Sequence, residues 1–134
     1  NLSGSDLSGS NLRGSDLSGA KNLPSQQAYM QEYFEHDRRG FIVYKTFGGQ
    51  YPSPDTWRIE AGAVIEEVVN PDRCTDCGSG VNVATLEWVK RNMPSGDIWK
   101  CRIAWKDAPG IVVPYMTDGK IRAERVELIE VVPR

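Results

Sequence analysis

Several features that usually point to a function are scarce in this chain of 134 residues. It has one histidine, His36, at the polar end of a predicted helix, which argues against a Ser-His-Asp catalytic set. No apolar run approaches the roughly 20 residues of a membrane-spanning helix, so no membrane partner is predicted. The net charge of −2 provides no basic surface for nucleic acid. Three cysteines, an odd number, favour a reducing compartment and a cytoplasmic protein.

A leucine recurs every five residues at the start of the chain, at Leu2, Leu7, Leu12 and Leu17. Each follows an Asn or Asp, which hydrogen-bond nearby backbone in turns, and each precedes a Gly by two residues. A period of five fits neither a helix nor a flat strand, but it suits a chain that turns a corner at every pentad. A flexible linker rich in Gly and Ser is the alternative, although linkers do not keep leucine in register.

This pattern resembles the pentapeptide-repeat family over about residues 1–22. The resemblance implies a right-handed quadrilateral β-helix with one coil for every four pentads, which we place at residues 1–23. One coil is about 4.8 Å thick, which is too thin to bury a core alone, and Asn1 lies in mid-pattern. We therefore expect further coils before Asn1 in a longer parent protein. Otherwise, the coil must lean on the rest of the chain or on another copy. We expect a protein partner or self-association through the exposed coil face.

A capping helix is predicted to follow the repeats, at residues 24–40. Pro24 suits a first helical turn, and the side chains at positions 29, 30, 33 and 34 share one helical face. Gly40 follows two arginines, where a C-capping glycine is expected. We expect this helix to cover the open end of the coil, which otherwise exposes leucine side chains and unpaired strand edges.

Residues 41–134 predict a small α+β domain dominated by antiparallel sheet. Asp118-Gly119 is a hairpin-turn signal, and residues 81–92 are typical of a short strand that runs into a helix. The last predicted strand carries a bulge, because its apolar residues change parity. The other strands are predicted at residues 41–47, 57–60, 63–69, 98–105 and 111–115, and the last at 121–132.

This C-terminal part resembles a small domain of unknown function that follows pentapeptide repeats in phage and other viral and bacterial proteins. The resemblance rests on residues 40–45, Trp57, and residues 77–85, 113–115 and 117–122. It implies a phage-type protein, which would act in the host-cell cytoplasm if phage-encoded. It implies no particular activity.

The three cysteines suggest a possible metal site. Cys74 and Cys77 form a Cys-x-x-Cys pair, with Cys101 and His36 elsewhere in the chain. The four could bind zinc as a Cys3His set, provided that the loop at residues 74–77 lies over the other two. A disulfide or redox pair is one alternative, and a turn with a buried, apolar cysteine is another. We expect the turn, and no cofactor.

Two further groups of residues suggest ligand chemistry. Gly78, Gly80 and Asn82 lie in a Gly-rich loop that could bind an anion, although it lacks the Gly-Lys-Ser/Thr of a phosphate-binding P-loop. Lys45, Asn82 and Glu127 fall in an order of elements that resembles ADP-ribosyltransferase-like folds, which use an Arg or His, a small polar residue and a Glu to hold NAD. Lys45 departs from that pattern, so such a domain is expected to be degenerate.

The sequence therefore favours a non-catalytic module for protein–protein interaction or assembly, with neither nucleic acid nor membrane as partner. The alternative is a degenerate ADP-ribosyltransferase-like domain that binds NAD. A third hypothesis, in which pentapeptide coils imitate DNA and bind a type II topoisomerase, ranks last. It needs coils that this repeat block does not supply, since one helical turn of DNA is about 34 Å long.

Overall fold

The structure, a computed structural model, describes residues 25–48, 53–76 and 78–134. It confirms a mixed α+β fold built on antiparallel sheet. The helices are α1 (Gln26–Tyr33), α2 (Leu86–Asn92) and a 3₁₀ helix (Trp105–Gly110). The strands are β1 (Gly40–Lys45), β2 (Val64–Glu66), β3 (Val81–Ala84), β4 (Ile98–Ala104), β5 (Lys120–Ala123) and β6 (Arg125–Val132). The predicted coil at residues 1–23, and its capping, lie outside the described residues.

The six described strands form one sheet in the order β2-β6-β4-β1-β3-β5, with antiparallel pairs. β5 and β6 are consecutive in the chain with only Glu124 between them, yet three other strands separate them in the sheet. A flat sheet would hold β5 and β6 about 19 Å apart, at about 4.8 Å for each strand spacing. Two residues span at most about 7 Å. The sheet must therefore roll until its two sides approach each other near Glu124.

The inside of the roll holds the main hydrophobic core. Side chains alternate between the two faces of a strand, so neighbouring β1 residues serve different clusters. The main core includes Met30 of α1, which therefore packs onto the sheet, together with Val43, Cys101, Ile103, Ile121 and Leu128. A second cluster, on the face covered by α2, comprises Ile42, Tyr44, Ala84, Val89 and Ile98.

α1 is shorter than the helix predicted for residues 24–40. It begins after the N-cap residue Ser25 and ends at Tyr33. The prediction that Gly40 caps this helix is wrong, because Gly40 is the first residue of β1. A Cβ atom at Gly40 would overlap the carbonyl oxygen of Ile103 on β4. The glycine is therefore required for the close approach of two strands rather than for a helix end.

Three predicted strands have a different structure, and one of them, at residues 111–115, forms only an isolated bridge. Residues 57–60 do not join the sheet; Trp57 instead donates its Nε1–H to the carbonyl oxygen of Glu66 at 2.9 Å and packs against the main core. The strand predicted at residues 121–132 is divided at Glu124 into β5 and β6. The division lies where the chain passes from one side of the rolled sheet to the other.

Candidate functional site

Lys45 lies at the end of β1, where β1 and β3 separate. The β1–β3 ladder has a single register pair, whereas β3 and β5 share four. Lys45 Nζ donates a hydrogen bond to the carbonyl oxygen of Asn82 at 2.9 Å, and so bridges the gap between the two strands. Burial lowers the pKa of Lys45 to about 8; the Cys101 thiol opposes this shift, and the charge of Lys120 adds to it.

The Lys45 ammonium also lies beside two aromatic rings. Its Nζ is 5.3 Å from the ring centroid of Phe47 and 5.6 Å from that of Trp57. The two rings pack edge to face, with their centroids 6.2 Å apart. Aromatic faces attract a cation at such distances. Within the described residues, no carboxylate forms an ion pair with Lys45. Lys45 is thus a largely desolvated cation held by a carbonyl group and ring faces.

The Gly-rich loop predicted to bind an anion is tied together by Asn82. Asn82 Nδ2 donates to the carbonyl oxygens of Gly78 and Gly80, each at 3.2 Å. Its Oδ1 accepts a hydrogen bond from Lys120 Nζ at 2.8 Å. These contacts turn the loop carbonyls, which are acceptors, toward Asn82, so the positive charge nearby comes from the two lysines rather than from the loop.

Glu127 belongs to a different cluster. Its Oε1 lies 3.1 Å from Arg102 Nη1, and Arg102 also pairs with Asp37 at 2.7 Å. Glu127 is opposite Arg102 in the β4–β6 register, whereas Lys45 is opposite Trp99 in the β1–β4 register. Lys45, Asn82 and Glu127 therefore do not form one site, although the first two residues are in direct contact.

The cysteines are separated by their burial. Cys101 is fully buried on β4, where burial raises the pKa of its thiol to about 12, whereas Cys74 is exposed. Cys77 lies outside the described residues. In the described ranges, no group of three His, Cys, Asp or Glu side chains could hold a metal ion. A protonated, buried thiol is also a poor metal ligand.

Arg122 is a structural residue that the sequence did not reveal. In the sequence, Arg122 alternates with the apolar residues Ile121 and Ala123, which predicts a solvated side chain. In the structure, it is fully buried on β5. Its guanidinium group instead donates to the carbonyl oxygens of Asn70, Asp72 and Thr75 at 2.7–3.2 Å. Segment 111–115, predicted as a strand, contributes one bridge, from Val112 to Arg122.

A groove of about 440 Å³ lies between α1 and the 3₁₀ helix. The described residues that line it carry no charge. Three are glutamines of α1, at positions 26, 27 and 31. The others are Met30, Phe41, Trp105, Ala108, Pro109 and Ile111.

Trp105 is the exposed aromatic residue of this groove. The sequence predicted it as the last residue of a strand, but it begins the 3₁₀ helix and is 43% exposed. Its Nε1–H donates to the carbonyl oxygen of Arg38 at 2.8 Å, and its ring contacts that of Phe41 edge to face at 4.9 Å. The indole is therefore held in place while much of its surface faces the groove.

The family model described as pentapeptide repeats, in eight copies, matches residues 1–21. This match supports a pentapeptide-repeat segment at the start of the chain, directly before α1. No curated protein and no solved structure matches the chain. The similarity of residues 41–134 to a phage-associated domain therefore stays a prediction. In the described part of the chain, no helix has the length and apolar character needed to cross a membrane.

Proposed function

We propose that this protein is a non-catalytic protein-binding module that holds an apolar segment of a partner protein in the groove between α1 and the 3₁₀ helix. The observation that carries the proposal is the exposed Trp105 ring in a groove of about 440 Å³ whose described lining is uncharged and mostly apolar. Large aromatic side chains in such positions are the usual anchors of protein interfaces.

The lining of the groove defines the chemistry of the partner. Its floor is formed by buried side chains, including Met30, Phe41 and Ile111, which offer apolar contact to an inserted side chain. Gln27 and Gln31 are exposed on α1 and can exchange hydrogen bonds with a backbone. Because the described lining has no charge, a segment with aliphatic or aromatic anchors and no charged residue at its centre fits best.

The contacts of the candidate catalytic residues also support a binding role. Glu127 is neutralised by Arg102, and Lys45 is held by Asn82 and two aromatic rings. Glu127 therefore has an ion-pair partner within the fold that accounts for its position, and it is not part of the Lys45 site. The pentapeptide-repeat segment precedes α1 in the sequence, which is consistent with an assembly protein.

Peptide selection on the full chain tests the proposal. Peptides from a random display library are selected on the purified protein, and the affinity of the best binders is measured by fluorescence anisotropy for the parent and two variants. We expect Trp105→Ala to weaken binding about 30-fold, since an anchor residue contributes about 2 kcal/mol. Trp105→Phe keeps a ring in the groove and should weaken binding less.

Met116→Ala is the matched control, because Met116 is 85% exposed and does not line the groove. It should leave peptide affinity unchanged. Peptides that bind the parent and Trp105→Ala equally would show that the groove is not the binding surface. A parent protein that sediments as a dimer, and a Trp105→Ala variant that sediments as a monomer, would identify a second copy as the occupant and refute a separate partner.

A further inference from the structure

A second depression, separate from the groove, lies where β1 and β3 separate. Its volume is about 80 Å³, compared with about 30 Å³ for one water molecule in the liquid. This space suits a small polyatomic group. Lys45, Thr46, Asn82, Trp88 and Lys120 are among the residues that line it.

Two lysines line this depression, and the ammonium group of each donates a hydrogen bond to Asn82. Lys45 Nζ is 2.9 Å from the Asn82 carbonyl oxygen, and Lys120 Nζ is 2.8 Å from Asn82 Oδ1. Lys120 Nζ also donates to the carbonyl oxygen of Asp76 at 3.1 Å. None of the described residues that line the depression is acidic. The site therefore concentrates positive charge in a chain whose net charge is negative.

Lys45 has hydrogen-bonding capacity left over. An ammonium group has three N–H donors. Among the described residues, Lys45 uses one oxygen acceptor, the carbonyl group of Asn82, and otherwise contacts ring faces. A desolvated cation without a counter-ion lowers the stability of a fold, and a well-placed anion offsets part of that cost.

We propose that this depression is an anion-binding site, in which Lys45 and Lys120 together hold the phosphate or carboxylate group of a small ligand. Trp88 and Thr46 lie at the same depression and offer a ring and a hydroxyl group to the rest of the ligand. The site does not depend on the apolar groove, so it can be present whether or not that groove binds a partner.

Titration of the isotope-labelled full chain with inorganic phosphate, at constant ionic strength, tests the site by NMR. We expect saturable shifts centred on Thr46, the Asn82 side-chain amide and the Trp88 indole. Lys45→Met and Lys120→Met should each weaken the affinity at least tenfold. Lys106→Met, which changes an exposed lysine of the 3₁₀ helix, should leave the affinity unchanged.

Bound phosphate should also raise the pKa of Lys45, because a nearby anion favours the charged ammonium. The ¹³Cε resonance of Lys45 reports this directly. Acetate in place of phosphate distinguishes the two groups: saturation at the lower concentration identifies which of them the site prefers.

Two results would overturn the proposal. One is a chemical-shift change that rises linearly with phosphate concentration, or that spreads over the exposed lysines; either pattern would indicate an adventitious ion only. The other is equal phosphate affinity in the parent and Lys45→Met. Because Lys120 also holds the loop through Asp76, the folded state of Lys120→Met is checked by its spectrum, and Lys45→Met decides the outcome if that variant is unfolded.

Discussion

Replacing Lys45 with Met tests how much a buried ammonium group, with no carboxylate partner among the described residues, costs the folded protein. Met has a similar length and no charge, so it can fill the same space between the rings of Phe47 and Trp57. In the folded protein the pKa of Lys45 is lowered from 10.5 to about 8, mainly by burial. This difference in pKa corresponds to a loss of about 3 kcal/mol in the stability of the folded protein while Lys45 is charged, at about 1.4 kcal/mol for each pKa unit.

The sign of the pH dependence follows from this pKa. The unfolded chain keeps the Lys45 proton up to about pH 10.5, whereas the folded protein loses it near pH 8. Between these values the unfolded state binds more protons, so the free energy of unfolding rises with pH. The linkage relation predicts a rise of about 1.4 kcal/mol in the parent between roughly pH 6.5 and 9, which Lys45→Met lacks.

In Lys45→Met, the loss of two contacts offsets part of the stability gained by removing the buried charge. The hydrogen bond to the Asn82 carbonyl group contributes about 1 kcal/mol, and the ring contacts contribute about 1 kcal/mol. We therefore expect Lys45→Met to be about 1 kcal/mol more stable than the parent at pH 6.5, with this advantage lost by pH 9.

Urea unfolding followed by tryptophan fluorescence at several pH values measures both quantities. The range ends near pH 9, because the Cys101 thiol, whose pKa burial raises from 9.0 to about 12, makes stability fall with pH above that point. Lys106→Met controls for the loss of one surface charge. A difference in unfolding free energy between parent and Lys45→Met that stays the same from pH 6.5 to 9 would refute the reasoning.

Two further substitutions test the structural basis of the fold by urea unfolding. Gly40→Ala should destabilise the protein by about 3 kcal/mol, because the new methyl group overlaps the carbonyl oxygen of Ile103. Gly62→Ala is the control: its Cβ enters open space, and its φ of +89° should cost about 1 kcal/mol. Equal losses of stability in the two variants would exclude the steric explanation. Arg122→Met should lower the free energy of unfolding by about 3 kcal/mol and accelerate hydrogen exchange in residues 70–75, because three carbonyl groups lose a charged donor. The control Arg91→Met changes an exposed arginine and should cost under about 1 kcal/mol. Unchanged hydrogen exchange in Arg122→Met would contradict the role of Arg122.

Local signals made part of this fold predictable from the sequence. Residues 81–92 were predicted as a strand that leads into a helix, and β3 and α2 occupy them. Thr85 lies between the two elements, and its hydroxyl group caps the helix by accepting a hydrogen bond from the Trp88 N–H at 3.2 Å. Such a cap depends only on residues within one helical turn, so it can be predicted from the sequence alone.

The sequence predicted some residues of the candidate site, but it did not predict which of them are in contact. Lys45 and Asn82 were singled out from the sequence, and their direct contact depends on β1 and β3 lying side by side. Glu127 was assigned to the same site, but the β4–β6 register places it against Arg102. No local pattern records which strands are neighbours, because strand order results from the packing of the whole sheet.

The sequence by itself determined the five-residue period of the repeat segment and the strand and helix types around Lys45 and Thr85, because these depend on spacing between near neighbours. Tertiary structure decided the rest. Only the packing of β1 against β4 explains why glycine is required at position 40, and only the loop at residues 70–75 explains why Arg122 can be buried. The groove and the lysine pair likewise join segments that are distant in the chain, and long-range packing alone brings such segments together.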